Sequence, residues 1–138
     1  MHLNPPLRGL LGKGSSIIVG LPKNFNLCRE LARSLEIRLA TAFARRSGWR
    51  LLQPAIVRAK GTVKLLTGLS FCQTEPDVLM DWWKLSEGSG IRARIFADKR
   101  ITFHPKVLIV TTPSLRFAVI GSANLSRGGL VDNIECGL

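Results

Sequence analysis

The runs ITFHPKVLIV (Ile101–Val110) and LRFAVIGSAN (Leu115–Asn124), with TTPS (Thr111–Ser114) between them, decide how this chain is read. Both runs are rich in Val, Ile and Phe, and Thr-Thr-Pro-Ser is turn chemistry, so the pattern predicts a β-hairpin with strands over 101–110 and 115–120. Centring the turn between Thr112 and Pro113 gives an antiparallel register in which paired positions sum to about 225, within two. Gly121 then falls opposite His104, and the Gly-Ser-Ala-Asn segment lands beside the histidine.

Upstream of the hairpin, short β-prone runs alternate with helical patterns. Strands are expected over 17–20, 37–43, 62–67 and 91–97. A helix over 26–35 would place Leu27, Leu31, Ala32 and Leu35 on one face, with Asn24 or Asn26 as N-cap. Thr74-Glu-Pro-Asp77 reads as a second helix start, with Thr74 as the cap, Pro76 in the first turn and Asp77 at the positive end of the dipole. That helix should end near Gly88. Residues 48–60 also read as helical, and Pro54 should kink or split them. The rhythm is α/β: a mixed sheet flanked by helices, closed by a C-terminal hairpin. Residues 1–14 read as a loosely held arm and 15–138 as the domain proper.

At 138 residues the chain suits one domain. With 46% hydrophobic and 21% charged residues it is globular in composition, and no apolar run reaches the roughly 18 residues that span a bilayer. No membrane role is expected, and without a signal-peptide core the chain reads as cytoplasmic. Cys28, Cys72 and Cys136 form no CxxC pair, so reduced thiols are expected rather than a disulfide framework or a zinc knuckle.

Lys and Arg number 20 against 9 Asp and Glu, a formal net charge of +11. Such a balance favours a polyanionic partner, with nucleic acid first. Residues 37–74 and 99–131 contain no acid at all. Candidate phosphate contacts within or at the edge of these stretches are Arg45, Arg46, Lys99, Arg100 and Arg127.

The chemistry concentrates near the C-terminus. On a strand, His104 and Lys106 would project from one face, giving an imidazole nucleophile or proton donor next to a cation that neutralises an oxyanion. Gly121-Ser122-Ala123-Asn124 allows close backbone approach while Ser122 and Asn124 offer donors to phosphate oxygens. Asn133 and Glu135 repeat the spacing of two on an expected strand over 131–137, where Glu135 could orient the imidazole N–H. One histidine in the expected core and scattered acids make no metal site, and neither GxxxxGK[ST] nor GxGxxG is present, so no cofactor is expected.

These residues resemble the phospholipase D superfamily, whose signature is HxK, usually followed by an Asp, then GSxN and a downstream acid. The phrase FHPK…GSANLSRGGL…NIE, standing here at 103–106, 121–130 and 133–135, is most similar to the single-motif, nuclease-type members. TAFARRSGW (41–49) and VKLLTG (63–68) resemble the leads of such domains. Two departures stand out. Thr111 occupies the place of the usual Asp, and Leu138 falls where the family's sheet continues, so the resemblance reads the domain as incomplete at its C-terminal end.

The resemblance implies a metal-independent phosphodiesterase acting on DNA, with RNA as the second choice. It implies His104 as the nucleophile of a phosphohistidine intermediate, Lys106, Ser122 and Asn124 on the phosphate oxygens, and Glu135 orienting the ring. Because family members bring two HxK motifs together, it also implies a homodimer that shares one active site. The alternative is a catalytically inactive or truncated nucleic-acid-binding module of a restriction or helicase system.

Overall fold

The computed structural model describes residues 25–132. The arm, the expected strand over 17–20, the start of the domain at 15, and Asn133, Glu135 and Cys136 lie outside the described residues. Among the described residues, helix α1 (Leu27–Ala32) leads into strand β1 (Glu36–Thr41), helix α2 (Arg46–Ile56), strand β2 (Thr62–Gly68), helix α3 (Pro76–Gly88) and strands β3 (Ile91–Phe96), β4 (Lys106–Thr111) and β5 (Arg116–Ile120). They build a five-stranded mixed sheet ordered β3-β2-β1-β4-β5. Strands β1, β2 and β3 run parallel, while β4 is antiparallel to both β1 and β5. No helix of the described residues is long and apolar enough to cross a membrane.

Strand alternation sets which face is buried. Ile37 and Leu39 of β1, Val63 and Leu65 of β2, Ile91 of β3, and Leu108 and Val110 of β4 point to one side. There they meet Leu31 of α1, Trp49, Leu52 and Ile56 of α2, and Val78 and Trp82 of α3. Trp49 and Trp82 meet edge to face with ring centroids 5.7 Å apart. The indole N–H of Trp49 donates to Asp81 Oδ2 at 3.2 Å, so the buried ring keeps its one polar group satisfied.

Several local expectations change. Asn26 is the cap of α1, accepting from the Arg29 amide at 2.9 Å, but the helix stops at Ala32 and Leu35 is 49% exposed rather than on the buried face. The Leu35 backbone is instead engaged at the sheet edge, donating to Thr111 O and accepting from Thr62 N. Helix α2 passes through Pro54 without splitting. The proline sits in the last turn, and the acceptor it leaves idle belongs to Arg50, which is exposed and open to water. The N-cap of α3 is Glu75, not Thr74. Thr74 is buried and stitches two loops, donating to Gly68 O at 2.7 Å and accepting from the Ala44 amide at 3.3 Å.

The hairpin is formed at the limit of the expected register. Thr112 N donates to Leu115 O at 2.7 Å and Leu115 N donates to Thr112 Oγ1 at 2.9 Å, so Pro113 and Ser114 form the tip. Val107 therefore pairs with Ile120 and Thr111 with Arg116, and Gly121 lies opposite Lys106 rather than His104. Strand β4 begins at Lys106, so 101–105 are not strand. Pro105 has no amide hydrogen to give to a ladder, which accounts for a start just after it.

Candidate active site

His104 sits just ahead of β4 and is exposed. The preceding residue anchors it: Phe103 stacks on Phe96 with centroids 4.8 Å apart and lies against Gly68 at the end of β2. A Cβ at Gly68 would stand 2.9 Å from the Phe103 ring, so only glycine leaves room for it there. Lys106 Nζ lies 2.8 Å from Nδ1 and 3.2 Å from Nε2 of His104. No point in the plane of an imidazole is that close to both nitrogens without colliding with a ring carbon. The ammonium therefore stands over the ring, and each nitrogen keeps its in-plane direction. The two side chains meet although only one of them is on the strand.

The Gly121–Leu125 segment is tied to the same place from both ends. Gly121 N donates to Lys106 O at 3.3 Å. Leu125 N donates to Thr41 Oγ1 at 3.2 Å, and Thr41 is the register partner of Lys106 in β1. The Thr41 hydroxyl donates onward to Phe43 O at 2.9 Å. Leu125 also accepts from the Arg45 amide at 2.8 Å and is buried in the core. Strand ends from β1, β2 and β4 thus converge with the loop after β5, at the carboxyl edge of the parallel strands where α/β folds place their sites.

Two glycines let the segment pack closely. A Cβ on Gly48 of α2 would stand 2.5 Å from the Leu125 carbonyl carbon and closer still to Ser126 N. A Cβ on Gly129 would stand 2.6 Å from Asn124 O. Because these are backbone atoms, they cannot rotate away. Gly48→Ala is expected to lower stability by about 1–3 kcal/mol, the cost of overpacking, and to displace Asn124. Denaturant unfolding gives the first effect and amide shifts at 123–126 the second.

Asn124 reaches this neighbourhood with a buried Oδ1 that accepts no hydrogen bond among the described residues. A buried, unsatisfied carbonyl costs about 1–3 kcal/mol, and a ligand donor, or the amide turned over to present its NH₂ to a phosphate oxygen, would remove that cost. Ser122 is exposed on the same loop. Glu135 and Asn133 lie outside the described residues. The strand expected over 131–137 is not formed where it can be seen, because Gly128–Asp132 is a single π-helical turn. Its first residues are committed to Ser126, whose carbonyl accepts from Leu130 N and whose hydroxyl accepts from Gly129 N.

The basic candidates divide. Arg45 flanks the site at the head of α2, bonding Gln73 Oε1 and standing 3.9 Å from Glu75. Arg46 pairs with Asp77 at 3.3 Å, while its amide donates to Glu75 Oε2 at 2.8 Å. Arg127 is exposed next to the loop, and its amide donates to Ser47 Oγ at 3.2 Å. Lys99 and Arg100 sit in the connection between β3 and β4, with Lys99 exposed and Arg100 held by Asp98 at 2.9 Å. The Arg100 hydrogen bonds keep the Asp98 carboxyl below its usual 3.8, and the same bonds raise the Arg100 pKa. A carboxylate with a depressed pKa favours the fold at neutral pH, and that contribution fades as pH falls through the depressed value. NMR titration should find the Asp98 midpoint below 3.8 and rising toward it in Arg100→Gln, which removes the guanidinium and keeps the backbone N–H.

No protein-family model matches the chain, and no curated protein does. Among solved structures, NucT from Helicobacter pylori superposes with a TM-score of 0.55 and 15% sequence identity, over 80% of this chain and 71% of that one. The chain is similar in fold to NucT. At that identity the likeness concerns architecture alone, a mixed sheet with helices packed on it. Thr41, Gly48, Gly68 and Gly129, which hold the site, carried no local signal in the sequence, since each acts on a segment far away in the chain.

Proposed function

We propose that the chain is a phospholipase D-like phosphodiesterase that cleaves DNA, or less readily RNA, without a metal ion. The observation that carries this reading is the Lys106 ammonium over the His104 ring, 2.8 Å from Nδ1, beside the loop bearing Ser122 and Asn124. A ring nitrogen of His104 attacks the phosphorus, the N–P bond forms, and the leaving oxygen departs with a proton from a general acid. Water then attacks phosphorus and the N–P bond breaks. Lys106, Asn124 and Ser122 hold the non-bridging oxygens, whose charge grows in both steps. Glu135 orients the ring. The general acid is His104 of the partner subunit in a two-fold dimer, since each chain supplies one HxK.

Thr111, in the place of the family's usual Asp, lies five residues along β4 from Lys106, about 17 Å away at strand rise, paired with Glu36 and Arg116. A carboxylate there would not touch a phosphate at Lys106, so its loss does not count against the catalytic reading. The test is cleavage of supercoiled plasmid in EDTA. Lys106→Ala should slow it by about 10²-fold or more while leaving the nucleophile in place, as for other lost oxyanion contacts. Equal rates for the two proteins would remove Lys106 from the mechanism, and no cleavage by the parent chain would leave the binding-module reading.

A further inference from the structure

The face of the sheet opposite the core points to a second surface. Because β1, β2 and β3 follow one another in the same direction, right-handed crossovers place α2 and α3 on one side. Parallel sheets are ordinarily covered on both faces, yet no described helix packs on the other side of this one. That side is chemically divided. Arg38, Lys64 and Arg92 are register partners and form a row of like charges across three neighbouring strands, with Arg94 beside it. Directly paired like charges are destabilising. Glu36 reaches Arg38 at 2.7 Å and Lys64 at 3.8 Å, but among the described residues neither Arg92 nor Arg94 has a carboxylate partner. Toward β4 the same face turns apolar, with Val107 and Ile109 half-buried next to Ala40 and Leu66. The two halves bound a concavity of about 450 Å³.

We infer that this face docks an acidic amphipathic helix of a protein partner, its apolar stripe on Leu66, Val107 and Ile109 and a carboxylate-bearing flank on Arg92 and Arg94. A helix about 10–12 Å across spans two to three strands, which matches the width of the apolar zone. A second copy of the same face would set arginine against arginine. A nucleic-acid strand would find phosphate contacts, but the concavity has no aromatic side chain for its bases to stack on.

The experiment uses the full chain and a fluorescein-labelled peptide of about 20 residues, with Leu at i, i+3, i+4 and i+7 and Glu along one flank. Anisotropy should show at least tenfold tighter binding than for the same peptide with Glu replaced by Gln. R92E/R94E should cost at least tenfold, and a Lys-flanked peptide should bind that variant better than the parent chain. Leu66→Asp should weaken both acidic and Gln peptides. If R92E/R94E fails to fold by circular dichroism, R92Q/R94Q serves, with the same loss expected. Equal binding of Glu and Gln peptides overturns the proposal. So does an oligo-dT probe that binds this face in place of the peptide and is lost in R92E/R94E, or a dimer that R92E/R94E splits in sedimentation.

Discussion

His104→Ala is expected to abolish plasmid cleavage, by on the order of 10⁴-fold or more, because in a dimer with a shared site it removes both the attacking nitrogen and the acid that protonates the leaving oxygen. The fold should be untouched. His104 is exposed, lies outside any strand, and has Lys106 as its side-chain partner, so the change should shift stability by less than about 0.5 kcal/mol. The contrast with Lys106→Ala is informative because the lysine loses one stabilising charge and the histidine loses the bond-forming atom. Mixing His104→Ala with parent subunits should lower activity more steeply than the share of parent chain, because a site assembled from two chains needs His104 from both. Circular dichroism and unfolding of the variant separate a lost reaction from a lost fold. Retained cleavage in a folded His104→Ala protein would remove the histidine from the chemistry.

Trp49→Ala should be among the most destabilising single changes, at about 3–5 kcal/mol, because a large ring leaves a cavity that its neighbours cannot fill. Trp49 is fully buried, packs edge to face on Trp82, and gives its N–H to Asp81. It also forms part of the join between α2 and α3. A loss of that size is a large share of the 5–15 kcal/mol typical of a domain and should lower Tm by roughly 10–20 °C. Trp83, the next residue after Trp82 on α3, is 57% exposed, and Trp83→Ala should change stability by no more than about 0.5 kcal/mol. Comparable shifts from the two substitutions would contradict the packing described.

Much of the architecture was legible because it rests on local patterns. The alternation of Ile37 and Leu39, or of Val63 and Leu65, marks half-buried strands, and Pro76 with Asp77 marks a helix start. Other details rest on hydrogen bonds that residue type does not announce. The hairpin pairs Val107 with Ile120, at the limit of the expected register, because the Thr112 hydroxyl bonds the Leu115 amide and sets the tip at Pro113 and Ser114, so that Gly121 faces Lys106. Thr74 looked like a cap because its neighbours are those of a cap, yet its hydroxyl is taken by the Gly68 carbonyl and by the amide of Ala44, 30 residues away. The candidate site divides in the same way. His104, Lys106, Ser122 and Asn124 announce themselves by residue type and spacing. The supports under them, Thr41 on Leu125 and Gly48 against Ser126, join positions roughly 80 residues apart and become visible only in the fold.

In the proposed reaction a nitrogen of His104 carries the phosphoryl group. Acid-quench trapping of the full chain with end-labelled DNA tests it most directly, followed by proteolysis and mass spectrometry of the labelled peptide. An acid-labile, base-stable adduct is expected on the peptide containing His104, absent in His104→Ala and formed slowly in Lys106→Ala. An adduct that persists in His104→Ala, or one that maps to Ser122, would contradict it.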